Sequence, residues 1–138
     1  MGLFEISNLT MTSPSPSKRL LFVDDDPLVR RSLGILLRQL GWDVVEVEDP
    51  REALTAIAQG PAFDVLLTDQ QMPHLRGTEL AIAVRDLAPE IWIVLCSGTL
   101  MLPAEELAVH GIDAMVTKPM SQASLVKALD GQSAKPRR

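Results

Sequence analysis

The sequence contains very little cysteine: Cys96 is the single thiol among 138 residues. One cysteine cannot form an internal disulfide, and this absence fits a reducing, cytoplasmic compartment. Cys96 lies within an apolar run, which favours a small core residue over a nucleophile.

Long apolar runs and basic clusters are also missing. No run approaches the roughly 18 residues that a membrane-spanning helix needs, and residues 1–10 lack the basic start and cleavage site of a secretory signal. The net charge is −5, and the one basic run lies at 135–138. We therefore expect no membrane association and no nucleic-acid binding by this domain.

The length and composition of the chain fit one globular domain with a buried core, since 46% of the residues are hydrophobic and the mean hydropathy is +0.15. Serine and proline alternate at the end of 1–17, which predicts a flexible leader. The domain is predicted to span 18–131, with a flexible tail over 132–138.

Short β-rich runs alternate with helical segments from Lys18 onward. Such alternation predicts an α/β fold: a single, doubly wound parallel sheet with helices on both faces. The strands are predicted at 19–23, 42–47, 63–68, 91–96 and 114–117. The helices are predicted at 27–40, 50–59, 77–87, 103–110 and 122–129, with Gly131 ending the last one.

Polar residues follow four of these strands. Strand 1 runs into Asp24, Asp25 and Asp26, whereas strand 3 runs into Asp69. Strands 4 and 5 are followed by Ser97 and Lys118 respectively. Because the carboxyl ends of parallel strands meet at one edge, these groups are predicted to converge in one crevice. Asp26 stands before a proline, so we interpret it as a helix cap.

The aspartates at 24, 25 and 69 suit a hard divalent cation such as Mg²⁺ (or Mn²⁺), which takes oxygen ligands and leaves room for phosphate oxygens. A carboxylate beside such an ion can act as a nucleophile toward phosphorus. Lys118 would supply positive charge and Ser97 a hydroxyl. Each residue alone is also typical of caps, loops and turns; the specificity lies in their joint occurrence.

Four segments together resemble the receiver domain of two-component response regulators, over about 18–130. They are Leu-Phe-Val-Asp-Asp-Asp at 21–26, Leu-Leu-Thr-Asp-Gln-Gln-Met-Pro-His-Leu-Arg-Gly at 66–77, Ile-Val-Leu-Cys-Ser-Gly at 93–98 and Val-Thr-Lys-Pro at 116–119. The resemblance implies the flavodoxin-like (βα)5 fold with strand order 2-1-3-4-5. The amino-acid sequences of the second and third segments resemble those of receivers attached to hybrid sensor kinases.

The resemblance also implies roles for individual residues. Asp69 would accept a phosphoryl group from a histidine of a sensor histidine kinase or histidine phosphotransfer protein, and Ser97 and Lys118 would contact that group. Beyond this self-directed acceptance and autodephosphorylation, no enzymatic activity is expected. The metal ligands would be Asp25 and Asp69 directly, Asp24 mainly through water, and the main-chain carbonyl of Gln71.

One position departs from the family pattern. Met115 stands three residues before Lys118, where receivers usually carry Tyr or Phe, and the chain has no Tyr. The switch pair would therefore be Ser97 and Met115, with the flexible methionine repacking in place of a ring. The expected output surface, also a possible homodimer interface, is helix 4, strand 5 and helix 5.

Three other interpretations fit less well. A haloacid-dehalogenase-type phosphatase would share the aspartates at 24–26, but it needs a further acidic pair and leaves 69–73 unexplained. A flavin-binding protein of this fold would need a phosphate loop after strand 1, where this chain is acidic. A phosphorylation-independent pseudo-receiver scaffold would not need the set at 24, 25, 69, 97 and 118.

Overall fold

The computed structural model describes residues 18–98 and 102–134. The predicted leader, 1–17, lies outside them, as do 135–138 of the predicted tail. Five strands alternate with five helices in the described part of the chain. The strands are β1 (Arg19–Val23), β2 (Asp43–Val47), β3 (Val65–Asp69), β4 (Trp92–Ser97) and β5 (Ala114–Thr117). The helices are α1 (Pro27–Gln39), α2 (Pro50–Gln59), α3 (Gly77–Leu87), α4 (Ala104–Val109) and α5 (Gln122–Ala134).

The strands form one parallel sheet in the order β2-β1-β3-β4-β5, which confirms the predicted topology. The central strands β1, β3 and β4 are almost fully buried, as expected when helices cover both faces. Strand order reverses between β1 and β3, so a crevice opens at their carboxyl ends.

Two apolar clusters, one on each face of the sheet, form the core. On the face covered by α1 and α5, Leu37 and Leu125 belong to the same buried cluster as Phe22. On the face covered by α2 and α3, Ala53 and Leu80 pack with the buried side chains of β1, β3 and β4. Burial on both faces holds the central strands firmly and therefore fixes the positions of their carboxyl ends.

Helix starts follow the sequence signals closely. The Asp26 side chain accepts hydrogen bonds from the amides of Leu28 and Val29, as predicted for a cap. Asp49 caps α2 through the amide of Arg51. Ser121 caps α5 through the amide of Ser124, with a distance of 3.0 Å.

The strand boundaries differ from the prediction by small shifts. β3 runs from Val65 to Asp69 rather than from 63 to 68, and β4 ends at Ser97 rather than at Cys96. The reason is main-chain pairing: Asp69 pairs with Cys96, and the amide of Lys118 donates to the carbonyl of Ser97. Asp69 and Ser97, two of the predicted site residues, therefore lie in the sheet rather than in loops.

The end of α5 was predicted wrongly. The helix continues through Gly131 to Ala134, so 132–134 are helical rather than part of a tail. Gly131 allows close approach instead of ending the helix, because a Cβ there would lie 2.5 Å from Cζ2 of Trp92. The indole of Trp92 also donates a 2.9 Å hydrogen bond to the carbonyl of Ala128. No helix in the described ranges is long and apolar enough to cross a membrane.

Candidate functional site

The carboxyl edge of the sheet gathers the candidate site. Asp24 and Asp25 follow β1, Asp69 ends β3, Ser97 ends β4 and Lys118 follows β5. Their strands are neighbours in the order β1-β3-β4-β5. The convergence predicted from strand order is therefore present in the fold.

Three carboxylates form the centre of the site. One oxygen each from Asp24, Asp25 and Asp69 can be chosen so that all three lie within 4.8 Å of one another. Asp24 and Asp69 are only 1% and 7% exposed, whereas Asp25 is exposed. The cluster thus has a buried floor and an open side facing solvent.

Lys118 lies against the buried floor of this cluster. Its Nζ is 2.9 Å from Oδ1 of Asp69 and 3.1 Å from Oδ2 of Asp24. Its amide donates to the carbonyl of Ser97 at 2.9 Å, and the peptide bond to Pro119 is cis. The ammonium therefore bridges the two buried carboxylates.

Burial and charge set the ionisation of this pair. Burial raises the pKa of the Asp69 carboxyl above its ordinary value; the hydrogen bond from Lys118 opposes this effect, and the charge of Asp24 adds to it. Burial lowers the pKa of Lys118, but its hydrogen bonds to Asp69 and Asp24 outweigh that effect and leave the pKa raised. Lys118 is therefore a permanent cation at neutral pH.

The donor set fits a hard divalent cation. Three carboxylates and one ammonium leave a formal excess of negative charge in the ionised site, and like charges this close favour a bound cation. Carboxylate oxygens are the ligands that Mg²⁺ prefers, and the exposed side at Asp25 leaves positions for water or phosphate oxygens.

Main-chain contacts hold Asp24 in place. Its Oδ1 accepts from the amide of Asp26 at 2.9 Å, and its carbonyl accepts from the guanidinium of Arg30 at 2.7 Å. Its own amide donates to the carbonyl of Val47. The supporting role of Arg30 was missed in the sequence, where it looks like an ordinary charge on α1.

The segment after Asp69 is anchored to the start of α3. The amide of Gly77 donates to the carbonyl of Gln70 at 3.0 Å, and the amide of Thr78 donates to Oε1 of Gln70 at 2.9 Å. A Cβ on Gly77 would lie 2.3 Å from the carbonyl oxygen of Asp69. Gly77 and the Gln70–Thr78 pair were missed as site residues; a glycine at the first position of α3 was the available signal.

The remaining predicted site residues lie around the cluster. Ser97 is 3% exposed and stands one residue beyond Cys96, the partner of Asp69 in the ladder. Gln71 is exposed in the segment between β3 and α3. Met115 is half-buried on β5, pairs with Leu95 and packs against the apolar cluster on the α2/α3 face.

An apolar groove of about 600 Å³ adjoins Lys118 on the side of α1. Its lining residues include Leu28, Leu36, Pro119 and Met120. Leu28 is 76% exposed at its rim. The acidic cluster therefore lies beside an accessible apolar surface.

Comparison with known proteins identifies the family. Residues 20–130 match the response regulator receiver domain family. The chain belongs to this family. The receiver is 30% identical over 122 residues to hybrid signal transduction histidine kinase A of Dictyostelium discoideum, covering 84% of this chain and 6% of that protein. It is 31% identical over 121 residues to the sensor protein GacS of Pseudomonas syringae, covering 83% and 13%.

Solved structures agree with this assignment. Chemotaxis protein CheY4 of Vibrio cholerae superposes with a TM-score of 0.75 at 30% identity, covering 83% of this chain and 98% of that chain. Response regulator TrrA of Thermotoga maritima, solved with Mg²⁺-BeF, gives a TM-score of 0.74 at 27% identity, with the same coverage. None of these findings favours the phosphatase, flavin or scaffold interpretation.

The receiver spans only part of its curated relatives: 6% of the Dictyostelium kinase, 13% of GacS and 25% of the transcriptional regulatory protein GlrR of Escherichia coli. The similarity therefore assigns the receiver domain and its place in two-component signalling.

Proposed function

We propose that this receiver accepts a phosphoryl group on Asp69 from a phosphohistidine of a sensor histidine kinase or histidine phosphotransfer protein. One observation carries the proposal: the nearly buried Asp69 carboxylate lies 2.9 Å from the Lys118 ammonium and within 4.8 Å of two further carboxylates. Phosphoryl transfer requires mainly positioning and charge neutralisation, and this arrangement supplies both.

Each side chain has a distinct part in the transfer. An oxygen of Asp69 attacks phosphorus while the bond from phosphorus to the donor's imidazole nitrogen breaks. The electron pair of that bond stays on the nitrogen, and the proton on the other ring nitrogen makes the leaving group a neutral histidine, so the products are an acyl phosphate and a free histidine. Lys118 pairs with a phosphoryl oxygen of the product, since its Nζ already contacts the acceptor carboxylate. The Ser97 hydroxyl donates a hydrogen bond to another phosphoryl oxygen.

Mg²⁺ or Mn²⁺ would be held by the carboxylates of Asp24, Asp25 and Asp69 and by the main-chain carbonyl of Gln71. When bound, the ion supplies positive charge that offsets the carboxylates and the incoming phosphoryl oxygens. The related response regulator TrrA was solved in complex with Mg²⁺-BeF, which supports the same chemistry here.

The phosphorylated receiver then changes a protein-contact surface formed by α4, β5 and α5, with Ser97 and Met115 as the switching side chains. Added phosphoryl charge biases a two-state surface of this kind. That surface is also the proposed site of homodimerisation. The receiver works in the cytoplasm and turns over no external metabolite.

Phosphotransfer profiling tests the proposal. Radiolabelled, autophosphorylated sensor kinases are mixed with the receiver and Mg²⁺, and transfer of the label is followed by gel electrophoresis. We expect one or a few kinases to label the receiver rapidly, and Asp69→Asn to remove the label. Asp86→Asn is the matched control, since Asp86 is an exposed aspartate on α3, and it should be labelled like the wild type. Undiminished labelling of the Asp69→Asn protein would contradict the assignment.

A further inference from the structure

Asp25 has the least side-chain support of the three clustered carboxylates. Oδ2 of Asp24 and Oδ1 of Asp69 both contact Nζ of Lys118. The side chain of Asp25 is exposed, and it makes no hydrogen bond or ion pair with another residue in the described ranges. The position of its carboxylate relative to the other two therefore depends on how its main chain is held.

Arg30 holds the peptide unit that joins Asp24 to Asp25. Its guanidinium donates a 2.7 Å hydrogen bond to the carbonyl oxygen of Asp24. Because a peptide unit is planar, this oxygen lies in one plane with the amide and the Cα of Asp25. The amide of Asp24 is fixed separately, through the carbonyl of Val47. The bond from Arg30 therefore sets the direction in which the chain leaves Asp24 and the place of the next Cα.

The start of α1 places Arg30 for this contact. The amide of Arg30 donates to the carbonyl of Asp26, the cap of the helix, at 2.9 Å. Long side chains on a helix point back toward its amino terminus, which here is the side of Asp24. Arg30 is half-buried, and the carbonyl of Asp24 is its one side-chain hydrogen-bond partner among the described residues. Arg31, the next residue, is exposed.

We propose that Arg30 is a positioning residue that raises the affinity of the site for a divalent cation by fixing the place of Asp25. The inference rests on the metal site proposed above. Two effects of Arg30 on a bound cation have opposite signs. Its positive charge repels the cation, whereas groups that orient metal ligands change metal affinity by about 10–100-fold when they are removed. The sign of the change on neutralising Arg30 shows which effect is larger.

The first test is a Mg²⁺ titration of the full chain, followed by amide NMR and by calorimetry. Arg30→Gln should raise the Kd for Mg²⁺ by about tenfold, because the peptide unit before Asp25 loses its anchor. Arg30→Lys keeps the charge and can donate to the same carbonyl, so it should bind Mg²⁺ more tightly than Arg30→Gln.

Arg31→Gln is the matched control, since it removes the same charge from the neighbouring exposed position. Loss of a nearby positive charge alone favours a cation, so its Kd for Mg²⁺ should stay unchanged or fall slightly. An Arg30→Gln protein that binds Mg²⁺ as tightly as the wild type, or more tightly, would show that Arg30 acts only as a charge and would overturn the proposal.

The second test needs no metal. The amide of Asp26 donates to Oδ1 of Asp24 at 2.9 Å, so its hydrogen exchange reports how firmly this segment is held. Without Mg²⁺, Arg30→Gln should speed exchange of this amide by about tenfold, whereas Arg31→Gln should not. Unchanged protection of the β4 amides shows that the variant is folded. Equal exchange of the Asp26 amide in Arg30→Gln and the wild type would contradict the positioning role.

Labelling by acetyl phosphate separates cation binding from the chemical step. Arg30→Gln should need more Mg²⁺ for half-maximal labelling but reach the wild-type plateau, because Asp69 and Lys118 are untouched. A lower plateau with unchanged Mg²⁺ dependence would overturn the proposal. If the wild type itself shows no response to Mg²⁺, the metal site proposed above is wrong, and the exchange of the Asp26 amide still decides whether Arg30 holds this segment.

Discussion

At the scale of single residues, Lys118 neutralises part of the negative charge of the site. Its ammonium bridges Asp24 and Asp69, two carboxylates that are nearly inaccessible to solvent. Without a cation, these groups would repel each other across a short distance in a medium of low dielectric constant. Burial raises the pKa of Asp69, and the hydrogen bond from Lys118 opposes that effect.

Cys96 is a buried thiol beside the same charged groups. Burial raises the pKa of its thiol far above the ordinary value, and Sγ lies 3.5 Å from Sδ of Met120. Since the thiolate is the reactive form, Cys96 should resist alkylation in the folded protein. We expect iodoacetamide at pH 8 to leave the native protein unmodified, as measured by intact mass.

The control is the same reaction in denaturant, where one alkyl group should be added. Rapid alkylation of the native protein, at the rate seen in denaturant, would contradict the burial of Cys96 in β4.

The site residues that could be predicted from the sequence are those whose position follows from strand order alone. Asp69 and Lys118 end up together because parallel strands align their carboxyl ends. The roles of Arg30 and Gly77 could not be predicted in this way. They depend on how closely one main chain approaches another, a distance that neither residue type nor spacing encodes.

At the scale of helices, sequence signals predicted the starts better than the ends. Caps are local, because an aspartate or serine bonds to an amide two or three residues ahead. Ends depend on tertiary packing, as α5 demonstrates. Gly131 resembles a stop signal in the sequence, yet it lies within the helix, where the ring of Trp92 occupies the space that a side chain would fill.

The sign of the stability change in Gly131→Ala therefore tests the contact between Gly131 and Trp92. Alanine within a helix usually stabilises a protein relative to glycine by about 0.5–1 kcal/mol. Here we expect Gly131→Ala to lower the free energy of unfolding by about 1–3 kcal/mol, because the new Cβ would overlap Trp92. Urea unfolding followed by circular dichroism measures the change.

Trp92→Leu supplies the matched background for this test. With the indole removed, the same glycine-to-alanine change should be nearly neutral or stabilising. A stabilising effect of Gly131→Ala in the wild-type background would show that Gly131 is not in close contact with the ring.

At the scale of the whole molecule, the residues that stabilise the fold are separate from the residues that form the charged site. Two apolar clusters on opposite faces hold the central strands, and the charged groups lie at one edge where the strand order reverses. The alternation of strands and helices predicted this layered α/β architecture. The strand order was inferred from the resemblance to receivers, since alternation alone does not specify which strands are neighbours.

The most direct measurement is the intact mass of the protein after reaction with acetyl phosphate, followed by peptide mapping. With Mg²⁺ present, we predict the addition of one phosphoryl group, located on Asp69. Chelation of the cation should prevent the reaction, and Asp69→Asn should abolish it while Asp86→Asn does not. A phosphoryl group found on another residue, or added equally well to the Asp69→Asn protein, would contradict the claim that Asp69 is the acceptor.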